Sequence, residues 1–108
     1  MSTQVICRRI RLKPGSLDRV YEWARTMVQR REEALATLRD EQVTIESAFL
    51  ERAADGEYLV YYMRAHDLKR ASGAAATSKH SIDEYHQSFK RETWDERVTL
   101  ELLLDLEL

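Results

Sequence analysis

The chain has 108 residues, of which 44% are hydrophobic and 33% charged, and its formal net charge is −2. That length supports one domain with a real core but not two, and the charge argues against a nucleic-acid partner held by counterion release. No apolar run could span a bilayer, no signal-peptide core opens the chain, and a single cysteine, Cys7, precludes an intrachain disulfide, so no membrane partner and a cytoplasmic home are expected.

Residues Gln4–Leu12 alternate, with Ile6, Ile10 and Leu12 on one face and Val5, Cys7, Arg9 and Arg11 on the other. Arg8 falls on the isoleucine face, which is unexpected for a half-buried strand. Pro14-Gly15 stops this strand, and Ser16 is placed to cap a long amphipathic helix from Leu17 to about Arg39. Along it Leu17, Val20, Ala24, Met27, Val28, Leu35 and Leu38 recur at helical spacing, opposite a solvated Arg/Glu face. Val43–Glu51 alternates again, putting Val43, Ile45, Ser47 and Phe49 on one side and Thr44, Glu46, Ala48 and Leu50 on the other. Asp55-Gly56 signals a hairpin, and the returning strand, Glu57–Ala65, is apolar or aromatic on both faces. Its tyrosines, at 58, 61 and 62, read as packing residues.

Asp67 is positioned to cap a short helix through about Ala76. The stretch Lys79–Trp94 then holds two of the three histidines and the clearest helix start in the chain. Ser81 and Glu84 have capping-box spacing, and Ile82, Tyr85 and Phe89 form an apolar stripe with His86 at its edge. Arg97–Leu108 alternates strictly except at Leu103 and reads as a last strand.

The predicted fold is α+β: the ferredoxin-like β-α-β-β-α-β order in one domain spanning residues 1–108, with both helical layers on one face of a four-stranded antiparallel sheet. The other face, which includes one apolar side of the Tyr58–Arg64 strand, would be bare in a monomer. A homodimer packed through that sheet face, with the leucine-rich last strand contributing, resolves the exposure and predicts a dimeric α/β barrel.

Several stretches carry a resemblance: the opening Arg-Ile-Arg-Leu-Lys-Pro-Gly, the helix ending from Arg30-Arg31-Glu32 to Glu41, Ile45–Glu51, and above all His80-Ser81-Ile82-Asp83-Glu84-Tyr85-His86. Over nearly its whole length the chain resembles DUF6176, a family of small bacterial proteins of unknown function. More loosely it is similar to the dimeric α/β-barrel superfamily, which includes monooxygenases of the antibiotic-biosynthesis type and sugar mutarotases. In several of those families the pocket lies between sheet and helices, so the resemblance implies a dimer and a pocket in that position.

The candidate chemistry centres on His80, Tyr85 and His86 as acid/base residues, with Arg8 and Glu46 from the strands as ligand-binding residues. Imidazole titrates near neutrality and can move protons without a cofactor, a carboxylate can orient it, and an arginine can hold an anionic or carbonyl oxygen. That set would suffice for isomerisation, mutarotation or a monooxygenase-like proton transfer on a small polar metabolite. The competing reading is a non-catalytic structural or interaction domain in which His80 caps a loop, His86 bonds to backbone and Arg8 pairs with Glu46. His80, Asp83 and His86 form a weak metal alternative, because their spacing matches no zinc pattern. No glycine-rich phosphate loop is present, so no cofactor is expected.

Overall fold

The structure is a computed structural model that describes residues 3–108. In chain order the elements are β1 (Gln4–Leu12), α1 (Leu17–Gln29), α2 (Arg31–Glu41), β2 (Val43–Ala53), β3 (Gly56–Ala65), α3 (Leu68–Thr77), α4 (Ser81–Thr93) and β4 (Trp94–Thr99). The strands form one antiparallel four-stranded sheet in the order β2-β3-β1-β4.

Register decides which side chains meet the helices. Ile10 pairs with Leu59, Arg8 with Tyr61 and Ile6 with Met63, while Leu50, Ala48 and Glu46 stand opposite those same β3 residues from the far side. Side chains alternate along a strand, so these residues share the helix-facing side. A register shift between Val43 and Ile45 puts Val43 opposite Ala65, on the helix-facing side, while Ile45 opposes Arg64 on the other. Strict alternation groups Val43 with Ile45; the bulge separates them because its extra residue reverses the pleat.

The interior divides into two apolar clusters. Ile10, Leu12, Val20, Trp23, Leu59, Tyr61, Phe89 and Trp94 form the larger one, and Val43, Ala65 and Ala71 the smaller, backed by Leu38, Met63 and Leu68. Phe89 and Ile10 are completely buried, each worth roughly 1.5–3 kcal/mol of transfer free energy. Phe89 stacks on Trp23, with centroids 4.4 Å apart and planes within 4°.

Three further expectations are corrected. The predicted single helix from Leu17 to Arg39 is two helices, broken at Arg30, whose φ/ψ of −100°/36° leaves helical space. The Arg30 guanidinium bonds Glu33 at 2.6 and 2.8 Å and Ser81 Oγ at 2.9 Å, tying the break to the start of α4. α1 then packs on α4 while α2 turns toward α3 and β2. The Ser81–Glu84 capping box does not form: His80 is the N-cap residue, Ser81 is the first helical residue, and no side chain caps the helix. Asp67 does cap α3, accepting from the amides of Lys69 at 3.0 Å and Arg70 at 3.1 Å.

The last strand ends at Thr99 rather than Leu108. Leu100 still donates its amide to the Cys7 carbonyl at 2.9 Å, but no ladder continues beyond it. Alternation supplies faces, not partners, and by the Arg8–Thr99 register residue 103 already faces Gln4, where β1 begins. Side-chain ion pairs hold the tail instead. Arg64, 7% exposed on the sheet side away from the helices, donates to Asp105 at 2.5 Å and pairs with Glu107 at 3.1 Å.

Candidate functional site

A cavity of about 330 Å³ opens between the sheet and the helices, bordered by both apolar clusters. β1 contributes Arg8, β2 contributes Glu46 and Ala48, and β3 contributes Tyr61 and Met63. Across from them stand Trp23 and Met27 of α1, Leu35, Leu38 and Glu41 of α2, and Asp83, His86 and Lys90 of α4, with Trp94 at the start of β4. A cavity with mostly apolar walls and a few converging polar groups has the ordinary make-up of a small-molecule site.

His86 is buried at the seam between α1 and α4, where its Nδ1 accepts the Trp23 indole N–H at 3.0 Å. An indole nitrogen only donates, so Nδ1 must be unprotonated and the ring proton sits on Nε2. Burial, followed by the nearby Lys90 charge, lowers the imidazole pKa to about 3. At neutral pH His86 is therefore a fixed N–H donor, not a proton carrier.

The carboxylates behave in the opposite way. Burial raises the pKa of Glu46, against a hydrogen bond from the Tyr61 hydroxyl and the positive charge of Lys90. Burial also raises Glu41, to about 7, with Glu46 and Asp83 adding repulsion. Lys90 is lowered, first by burial and then by Arg97 and Arg8, against the attraction of Glu46 and Glu41. Its ammonium lies 4.8 Å from the Trp94 ring centroid. Two buried polar atoms have no partner among the described residues, Asp83 Oδ2 and Trp94 Nε1, and both residues line this cavity.

Arg8, Glu46 and His86 thus meet at one cavity, whereas His80 and Tyr85 do not line it. His80 Nε2 lies 2.7 Å from Asp40 Oδ2, and that bond raises the imidazole pKa. It borders a neighbouring open cavity of about 450 Å³ with Thr37, Asp40, Glu41 and Asp83. Tyr85 turns to the α1–α4 surface, where its hydroxyl accepts from Arg19 at 3.0 Å. His80, Asp83 and His86 do not converge on one point, and no group of metal-binding side chains occurs among the described residues. Arg8 forms no ion pair with Glu46, and His86 takes an indole partner rather than backbone.

Sequence reading missed Lys90, Glu41, Tyr61 and Trp94. Lys90 and Trp94 follow His86 at four-residue intervals, one helical stripe that could have been extended from it. Glu41 carries no such signal, because the break at Arg30 sets which way α2 faces.

The fold and site define an α+β domain with a polar-seeded cavity between a four-stranded antiparallel sheet and its helices. The chain belongs to DUF6176, a family of unknown function, which matches residues 3–108. A search of curated proteins finds no match. No helix among the described residues is long and apolar enough to cross a membrane.

Proposed function

We propose that this protein binds a small polar metabolite in the sheet–helix cavity and that Glu46 moves a proton on it without a cofactor. One observation carries the reading: the cavity gathers ionisable groups that burial has displaced toward neutrality, Glu46 and Glu41 upward and Lys90 downward. A carboxylate whose pKa burial has raised is a stronger base than an exposed one and is suited to take a proton from a bound carbon acid. The N–H groups of His86 and Trp94 and the charges of Lys90 and Arg8 are suited to stabilise an oxygen that becomes negative, as in enolisation or mutarotation. Arg8 and Lys90 have no ion-pair partners among the described residues, which weighs against an internally satisfied structural domain.

The test is a thermal-shift screen of small carboxylates, amines and carbonyl compounds. NMR then follows deuterium exchange at carbons beside the carbonyl in every binder. Glu46→Gln is expected to keep binding and lose exchange. Failure of every compound to shift the melting temperature would remove the reading.

A second observation supports an assembly. The sheet side away from the helices exposes Ile45, Phe49 and Val98, and the tail exposes Leu102, Leu103, Leu104 and Leu106. So many exposed large apolar side chains on one sheet side and its tail are unusual for a monomer. The strand order β2-β3-β1-β4, with helices after β1 and β3, suits the ferredoxin-like description. Two such sheets packed face to face in a homodimer would make a dimeric α/β barrel. The single cysteine fits a reducing cytoplasm.

A further inference from the structure

The sheet–helix cavity is lined by three cationic residues, Arg8, Arg31 and Lys90, and three anionic ones, Glu41, Glu46 and Asp83. No two of the six pair within 4.0 Å, although ion pairs form elsewhere on the molecule. Arg8 and Arg31 are exposed, Lys90, Glu46 and Asp83 are half-buried, and Glu41 is only 8% exposed, its carboxyl without a hydrogen-bond partner among the described residues. Glu41 and Asp83 line the neighbouring cavity as well, so both stand where the two spaces adjoin. Asp83 Oδ2 is buried and unpartnered, and the Trp94 indole N–H is a second buried polar group without an acceptor.

Buried polar groups are normally bonded, and a buried charge without a partner is costly. A site that keeps opposite charges unpaired on its walls is arranged for a ligand that brings both signs. Resting on the reading of the cavity as a binding site, we infer that its ligand is a zwitterion of the amino-acid class. The ammonium seats on Glu41 and Asp83, and the carboxylate meets Arg8, Lys90 and the Trp94 N–H. The walls between, Met27, Leu35, Leu38 and Met63, suit an apolar side chain. Charge-assisted hydrogen bonds at both ends would make the two halves of such a ligand interdependent.

Calorimetric titration with four probes tests this: L-leucine, 3-methylbutylamine, 4-methylpentanoate and the uncharged 4-methylpentanamide. Leucine is expected to bind at least about tenfold more tightly than either half-molecule, as charge-assisted bonds at both ends require. Glu41→Gln should weaken leucine and the amine while leaving the carboxylate unchanged, and Lys90→Met should weaken leucine and the carboxylate while leaving the amine unchanged. Both variants are first checked for a native melting transition. If the carboxylate alone equals leucine, the site is an anion site and the inference fails. If the amide equals leucine, the cavity reading stands and the zwitterion is wrong. If none of the four binds, the inference is overturned, and the broader thermal-shift screen decides whether the cavity reading falls with it.

Discussion

Trp23 and His86 each need the other, because the indole can only donate and the buried imidazole has one nitrogen free to accept. His86→Phe would fill similar space but leave the Trp23 N–H buried without an acceptor. It should cost about 1–3 kcal/mol in urea denaturation, and His86→Gln, which keeps an acceptor, should cost less. The folded pKa of about 3 lies below the ordinary 6.5, so this group's contribution is complete above pH 6.5 and is lost as pH falls toward 3. Glu41 has the opposite sign. Its folded pKa of about 7 exceeds 4.5, so its contribution is complete below pH 4.5 and is lost as pH rises through 7. The charged groups that face it are Asp40 on its own helix, Glu46 on β2, and Asp83 and Lys90 on α4. Glu41→Gln should therefore stabilise the protein increasingly from pH 5 to pH 8. A displacement from 4.5 to about 7 corresponds to a ceiling of about 3 kcal/mol. Melting curves of both proteins across that range check it, and parallel curves would show that the carboxyl is not held out of water.

Among the elements, the two helix starts in the second half of the chain make a contrast. Asp67 accepts from two free amides of α3, so Asp67→Ala should cost about 1 kcal/mol. Ser81 has the sequence context of a cap but makes no cap bond, and Ser81→Ala should cost only the exposed contact with Arg30, a few tenths of a kcal/mol. Chemical denaturation of the two variants side by side checks the difference; equal losses would mean that Ser81 caps after all. Alternation and turn residues made β1, β2, β3 and α3 legible in the sequence, because local pattern there agrees with tertiary surroundings. Arg8 drew attention as a charge on an apolar strand face; which sheet face carries it and Glu46 was not legible, and both stand at the cavity. The misreadings all concern partners that local pattern does not contain. The Arg30 break answers to Glu33 and Ser81, the Val43 bulge to β3, and the Leu104–Leu108 segment to a strand that is not there. His80 and Tyr85 drew attention by residue type, but Asp40 and Arg19, distant in sequence, fix where they point.

For the whole molecule the leucine tail sets the open question, since residues placed like core side chains stand in solvent. Leu103 is 86% exposed and Leu106 83%, yet the tail is not loose: Asp105 and Glu107 anchor it on Arg64, which also donates to the Tyr62 hydroxyl. The anchor on Arg64, which pairs with Ile45 across the sheet, holds the tail beside the sheet side that also exposes Phe49 and Ile45. A second copy meeting this side would cover strand and tail residues together, at roughly 25 cal/mol for each Å² of apolar area removed from water. Sedimentation velocity at micromolar concentration is expected to show a dimer. The triple variant Leu102→Glu, Leu104→Glu, Leu106→Glu should sediment as a monomer, because three carboxylates would have to enter the apolar contact. Arg64→Gln, which releases both anchors, should weaken the dimer less, since the leucines remain. The cavity lies on the opposite side of the sheet, so the triple variant should still bind whatever ligand the wild-type protein binds. A wild-type protein that sediments as a monomer would defeat the barrel and leave the tail to some other partner. A dimer that survives all three glutamates would place the interface elsewhere.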